Sequence, residues 1–464
     1  VEERIEVAAV APTFPDDGDE EIDLLERERR LQSISEENAR LAEIVLQARR
    51  RLGKSKQRLE LSCMQFDSEG RCTRRSLDRT FMKLRAVLTK RASSPVRFSQ
   101  FGDSLTSGDG LTGVMRARMQ EIFGDGGYGF VPPAPPRPYM VHKGVRVATS
   151  GQWAIDTFFE PDAPDHLGLM GAAFTHPKKA RLDLWMVKKD RGHGRIGILY
   201  ASHAIQAQDT LDILADERPS HLVLPHTGGH PRVQWLELGR DAREVQISYL
   251  GGSATHYGVA FERGGPGVVV DNLGMINASA RSIKRIDPLH WERQLTERGT
   301  DVAAFFYGPN QATLSKLKPH ALRRYAKDYG AVLAAAKGSE HERDCLVISI
   351  LTRGRKKRGV PAARASVRQI AETQRDVSAE HGCAFFNAFE FMGAEDGPRR
   401  WTQRTPKWLG SDMVHPTYRG YSVLGRALTA SVLASFERWL LYTPPELIEQ
   451  WCVEQGDETC ATEE

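Results

Sequence analysis

At 464 residues the chain is longer than one compact core accommodates, which implies two or three domains. Its 64 Lys plus Arg against 60 Asp plus Glu leave a formal net charge of +4, too small to draw the chain to nucleic acid or to an anionic membrane surface. No run approaches the roughly 18 consecutive apolar residues of a spanning helix, so stable membrane insertion is not expected. The start at Val1 rather than Met is what removal of a signal peptide or lipid anchor, or simple truncation, would leave.

Residues 1–30 are rich in Pro, Asp and Glu without apolar periodicity and read as a disordered lead-in. A helical extension follows over 31–92. Leu24, Leu25, Leu31, Ile34, Leu41, Ile44, Val45 and Leu52 recur at near-helical spacing, predicting one long amphipathic helix from about Ile22 to Leu52. It either packs along one seam as a solvated helix, pairs with another helix, or spaces the rest from an anchor. A second helix is expected over Leu77 to Leu88.

From Val96 to Gly102 the pattern is that of a strand, and Leu111, Val114, Met115, Met119 and Ile122 then mark a helix face, the first unit of an α/β domain over 93–140. Over 141–267 short alternating runs replace it: Leu182, Leu184 and Met186; Leu211 and Ile213; Val245, Ile247 and Tyr249. Turn residues separate them, which predicts an inserted antiparallel β-sandwich. Strand–helix alternation resumes over 268–442, with strands at Val268–Val270, Val302–Tyr307, Cys345–Leu351 and Cys383–Phe391. Helices are expected over Leu314–Ala336, Ala365–His381 and Tyr418–Leu440, giving a discontinuous α/β domain with a parallel sheet covered on both faces; an acidic tail occupies 443–464.

Of six cysteines, Cys63 with Cys72 and Cys452 with Cys460 sit in polar, loop-like sequence, where each pair can close a short disulfide loop, and they favour an oxidising compartment. Cys345 and Cys383 lie in apolar runs and are expected to be buried thiols. The fourteen histidines show no compact ligand spacing, so no metal and no cofactor is expected.

Three short patterns carry chemistry. Gly102-Asp103-Ser104-Leu105 stands between the first strand and a helix, at the sheet edge where ligand sites collect. A serine there either caps the helix or serves as a nucleophile beside amide donors. Asp412 and His415, three apart before the last helix, let a carboxylate hold one imidazole nitrogen while the other faces a hydroxyl. Asn310, in Tyr307-Gly308-Pro309-Asn310, follows a strand and can aim an amide into the same cleft, although a turn-forming Asn reads the same way. Gly274, in Asp271-Asn272-Leu273-Gly274, is weaker still when taken alone.

In the order Ser, Gly, Asn and Asp-x-x-His these blocks resemble the four blocks of the SGNH, or GDSL-type, hydrolases. The resemblance implies a flavodoxin-like three-layer fold and acyl transfer through an acyl-enzyme. Ser104 would be the nucleophile, His415 the general base and then acid, and Asp412 its orienting carboxylate. The Ser104 and Gly274 backbone N–H groups and the Asn310 amide would form the oxyanion hole. One departure is Gln311 after the block Asn, where many relatives carry Asp or Glu.

The insert between the Ser and Gly blocks is similar to that of bacterial peptidoglycan O-acetylesterases and related polysaccharide deacetylases, whose hydrolase domain is interrupted by a carbohydrate-binding-module-like sandwich. The implied substrate is an acylated polysaccharide such as peptidoglycan, and the implied location is periplasmic or secreted. Trp153, Trp185, Trp235 and Tyr249 are available as sugar faces or as core, and the basic run Arg353 to Arg358 follows a strand near the catalytic edge. Two rivals remain: a polysaccharide O-acetyltransferase using the same triad, and a non-catalytic glycan-binding protein.

Overall fold

The computed structural model describes residues 27, 29, 31, 32, 34–53, 58–66, 68–70, 72–138, 140–176, 178–187, 192–203, 209–339, 343–443, 447 and 448. In chain order the elements that frame the site are α1 (Glu36–Leu52), α2 (Asp78–Leu88), β1 (Pro95–Gly102), α3 (Gly110–Phe123), β2 (Gly267–Gly274) and α4 (Pro288–Arg298). They continue with β3 (Val302–Phe306), α5 (Pro319–Lys337), β4 (Asp344–Ile348), α6 (Ala365–Glu380), β5 (Ala384–Phe386) and α7 (Tyr418–Tyr442).

The five β strands form one parallel sheet in the order β2-β1-β3-β4-β5. That is the 2-1-3-4-5 order of flavodoxin-like doubly wound folds. Every residue of β1, β2, β3 and β4 is buried, because helices cover both faces and the strands therefore carry nearly continuous apolar sequence. Alternation divides them between two cores. Val302, Ala304 and Phe306 join Phe81, Met115, Leu428 and Phe436 of α2, α3 and α7. Ala303 and Phe305 face the other way, onto Trp291 and Tyr329 of α4 and α5.

Between β1 and β2 the chain builds two antiparallel sheets. One has five strands, in the order Arg218–Leu224, Asp209–Ala215, Glu244–Tyr249, Ala180–Met186, Val145–Gly151. The other has six: Arg232–Ala242, His193–Ala201, Thr255–Glu262, Ala172–Thr175 and Ala154–Thr157, with Gly129–Val131 also pairing with Thr255–Glu262. Leu182, Leu184, Leu211, Ile213, Val245 and Ile247 of the first meet Ile196, Ile198, Val259 and Phe261 of the second in a core of their own. The antiparallel pairing thus begins at Gly129, twelve residues ahead of the expected 141. Tyr249 belongs to that core, and Trp153 packs edge-on against it with ring centroids 4.8 Å apart.

A buried ionic junction joins this region to the parallel sheet. Arg298 of α4 donates to Glu262 Oε1 (2.6 Å) and to both oxygens of Asp271 on β2 (2.8 and 3.0 Å). Arg97 of β1 makes a bidentate pair with Glu262 (2.7 and 2.9 Å), and Arg195 adds a third guanidinium at 2.7 Å. Burial alone would raise the Glu262 pKa, but Arg298 and Arg97 outweigh it and hold the carboxyl well below its ordinary value.

Four sequence expectations change. The long N-terminal helix is interrupted: Ser35 caps a new helix at Glu36, its side chain accepting the Asn38 N–H. The helix expected from Leu314 starts at Pro319, whose fixed φ suits a first helical position. The strand expected over Cys383–Phe391 is only Ala384–Phe386, after which Asn387 caps the helix Ala388–Met392. Cys345 and Cys383 are not thiols but a disulfide. The parallel register pairs Leu346 with Ala384, which sets the two preceding cysteines side by side with Cα atoms 4.8 Å apart. Cys63 and Cys72 form a second disulfide across a two-stranded ribbon. Cys452 and Cys460, the tail, and nearly all of residues 1–30 lie outside the described residues. Among the described residues no helix is long and apolar enough to cross a membrane.

Candidate active site

Strand β1 has β2 on one side and β3 on the other, so the chain leaves it in opposite directions and opens a crevice at its carboxyl end. At that end Gly102 is obligatory: a Cβ there would lie 2.0 Å from Thr106 Oγ1 and 2.9 Å from the Phe306 carbonyl oxygen. Asp103 caps the next turn, its carboxylate accepting the Leu105 N–H at 2.9 Å, and Ser104 opens the one-turn helix Ser104–Ser107. The Thr106 and Ser107 N–H groups both donate to the Asp103 carbonyl at 3.0 Å, which fixes the turn that presents Ser104.

The partners arrive from the segment before α7. Gly410 N–H donates to the His415 carbonyl (2.8 Å) and Thr417 N–H to the Trp408 carbonyl (2.9 Å), so residues 408–410 and 415–417 run side by side with a tight turn between them. Met413 takes a left-handed φ of 56° within that turn, and its carbonyl accepts the Gly354 N–H at 2.8 Å. Asp412 Oδ1 accepts the N–H groups of Val414 and His415 (3.0 and 3.1 Å), while Oδ2 lies 2.6 Å from His415 Nδ1. His415 Nε2 is 2.8 Å from Ser104 Oγ. With Nδ1 protonated and held by Asp412, Nε2 is the acceptor for the serine hydroxyl, an arrangement able to draw a proton from Ser104 as the oxygen attacks an acyl carbon.

Two carboxyls here titrate in opposite directions. Burial works to raise Asp412, but the hydrogen bonds from the His415 ring and the two backbone N–H groups prevail and keep its pKa below the ordinary value. Asp103 is fully buried, and burial pushes its pKa up to about 7 against the Leu105 N–H and the nearby His415 and Arg353. Its second oxygen has no hydrogen-bond partner.

The other expected residues are close by but differently engaged. Gly274 ends β2 against the serine turn, where a Cβ would sit 2.3 Å from the Ser107 nitrogen. Its N–H, however, donates to Asn272 Oδ1 at 3.1 Å, and Asn272 Nδ2 reaches the Ser107 carbonyl at 3.4 Å. As it stands, Gly274 offers an oxyanion only a shared hydrogen. Asn310 donates one amide hydrogen to the Ala278 carbonyl at 2.9 Å, and the second amide hydrogen remains for another acceptor.

Sequence reasoning missed Asn272 and the role of Arg353. The Arg353 guanidinium donates to the Pro309 carbonyl at 2.9 Å, bracing the loop that bears Asn310, and its charge acts on Asp103. The remainder of the basic run forms an exposed hairpin, Gly354–Lys357 paired with Val360–Ala363. Nothing local in the sequence marks either residue, since both act through partners brought by other strands. Trp235 lies under the Arg195 guanidinium, 4.2 Å from its ring centroid. Two concavities of about 410 and 500 Å³ lie elsewhere, with none of the triad in their walls. No group of three His, Cys, Asp or Glu among the described residues is placed to hold a metal ion.

No protein-family model and no curated protein matches the chain. Among solved structures it is similar to a peptidoglycan O-acetylesterase with a TM-score of 0.64 and 20% identity, over 77% of this chain and 96% of that one. Similarity to an acetyl xylan esterase (TM-score 0.27, 14% identity, 37% of this chain and 81% of that one) is too slight to carry an argument. The same holds for a salicylyl acyltransferase of a tetracycline biosynthetic pathway (TM-score 0.28, 9% identity, 66% and 96%). The first likeness, spanning nearly the whole of its counterpart, shows that this chain has the fold of that O-acetylesterase.

Proposed function

We propose that this protein is a serine esterase of the SGNH kind that removes O-acetyl groups from a cell-envelope or extracellular polysaccharide such as peptidoglycan. The observation that carries the reading is the relay from Ser104 Oγ to His415 Nε2 (2.8 Å) and from His415 Nδ1 to Asp412 Oδ2 (2.6 Å), set at the switch point of the parallel sheet. Ser104 attacks the acetyl carbon while His415 takes its proton. The tetrahedral oxyanion is held by the Ser104 N–H and the second Asn310 amide hydrogen, with Gly274 sharing its N–H once Asn272 turns aside. His415 returns the proton to the leaving sugar oxygen, and water then resolves the acetyl-enzyme by the same route in reverse.

The two antiparallel sheets are assigned a glycan-holding role beside the cleft. Two disulfides suit an oxidising compartment, hence the envelope or the exterior. The test is acetate release from O-acetylated peptidoglycan and a panel of acetylated polysaccharides. The wild type releases acetate from at least one of them and Ser104→Ala from none; equal release by both proteins refutes the reading. Acetyl appearing on an added sugar acceptor instead of in solution would assign the transferase chemistry.

A further inference from the structure

The larger concavity, about 500 Å³, has in its wall Trp408 and Arg419, which flank in the chain the turn that carries Asp412 and His415. Trp408, in its wall, is bonded across to Thr417, two residues from His415, and Arg419 on the first turn of α7 is four residues from it. The triad turn and this basin are therefore the tip and the base of one small structure.

The wall is strongly cationic. Arg400, Arg404, Arg419 and Arg426 line it, together with the indoles of Trp401 and Trp408, whose ring centroids are 5.6 Å apart at 89°. Arg426 has a structural task, donating to the Leu52 and Arg51 carbonyls at the end of α1 (2.9 and 3.1 Å). The Arg404 guanidinium lies over the Trp408 ring, 4.7 Å from its centroid, a cation–π contact that holds it in the wall. One carboxylate, Glu390, also lines the wall, 3.4 Å from Arg368, a guanidinium it shares with Glu395; Asp396 pairs with Arg399 at 2.8 Å. Arg400, Arg404 and Arg419 are exposed and form no ion pair among the described residues, a concentration of charge that the chain's overall +4 does not require.

We infer that this basin is a substrate subsite for the carboxylate groups of an acidic glycan. It rests on the esterase reading, and would hold a charged unit of the same chain whose acetyl ester lies at Ser104. Guanidinium forks match carboxylates bidentately. A concave basin suits a glycan chain, whereas an anionic bilayer would be met by a flat basic surface.

The experiment uses the full chain and the variant Arg400→Gln/Arg404→Gln/Arg419→Gln, three exposed positions whose replacement leaves the fold intact; Arg426 is kept. With O-acetylated peptidoglycan the variant should show KM raised roughly tenfold at unchanged kcat, the size expected for losing charge-assisted contacts. With the same polymer after amidation of its carboxylates, with acetylated xylan and with 4-nitrophenyl acetate, KM should not differ from wild type. Co-sedimentation with de-O-acetylated peptidoglycan, which needs no turnover, should fall in parallel, so failure of the esterase reading and failure of the subsite are separable. An equal KM change on charged and amidated polymer, or unchanged co-sedimentation, overturns the subsite. Loss of binding to phosphatidylglycerol vesicles with glycan binding intact also overturns it, and assigns the basin to membrane.

Discussion

The sheet edge that carries Ser104, Asp412 and His415 and the ionic junction are built from the same kinds of charged side chain to opposite ends. At the edge, the His415 and Asp412 side chains remain 44% and 51% exposed and hang from turns. At the junction, the Arg298 and Glu262 side chains are fully buried and belong to regular elements. Asp103 and Glu262 sharpen the contrast, since both carboxyls are fully buried. Three guanidiniums bond Glu262 and pull its pKa down, whereas Asp103 has one backbone N–H and no bonded cation, and its pKa rises to about 7. Burial therefore sets the cost of a charge, and bonded partners decide the direction in which it titrates. Exposed groups on turns can be lost for chemistry alone, while buried pairs cannot be lost without cost to the fold.

That difference can be broken first at Ser104. Ser104→Ala should lower acetyl ester hydrolysis by roughly 10⁴-fold or more while the denaturation midpoint stays within about 0.5 kcal/mol of wild type. Asp412→Asn should lower kcat by about 10³- to 10⁴-fold, because the carboxylate no longer fixes the imidazole tautomer, again with little change in unfolding. A large loss of stability in either variant would erase the distinction between edge and junction.

Glu262→Gln should do the reverse, costing about 3–5 kcal/mol in chemical denaturation because Arg97 and Arg195 lose the carboxylate they bond and Arg298 keeps only Asp271. Activity per folded molecule should persist. The smallest effect is expected at Asp103. Its folded pKa of about 7 lies above the ordinary 3.8, so the folded state binds the extra proton and stability falls as pH rises across that interval, levelling above it. Asp103→Asn should therefore gain stability relative to wild type from about pH 4 to pH 7 and hold the gain beyond. A difference independent of pH in denaturation series would contradict the raised pKa.

The pattern of strands and helices was readable because the parallel strands are buried on both faces and run apolar, as Val302 to Phe306 does, while helices such as α7 repeat at their own period. Sheet order and register were not readable, since they depend on contacts between segments far apart in the chain. Cys345 and Cys383, 38 residues apart, look like core thiols until β4 and β5 are laid side by side. Glu262 and Arg298 look like surface charges until three elements converge on them. The short strand Gly129–Val131 lacks the length to announce itself. At the site, the types and spacing of Ser104, Asp412 and His415 were legible as candidates. The capture of the Gly274 N–H by Asn272 was not, because a two-residue side-chain to backbone bond leaves no signature in composition or period.

The most direct test of the account is to trap the acyl-enzyme: rapid acid quench of the wild type during turnover of O-acetylated peptidoglycan, followed by peptide mass spectrometry. Acetyl is expected on the peptide bearing Ser104 and none after Ser104→Ala. Acetate release with no adduct at Ser104, or an adduct on another residue, would contradict it.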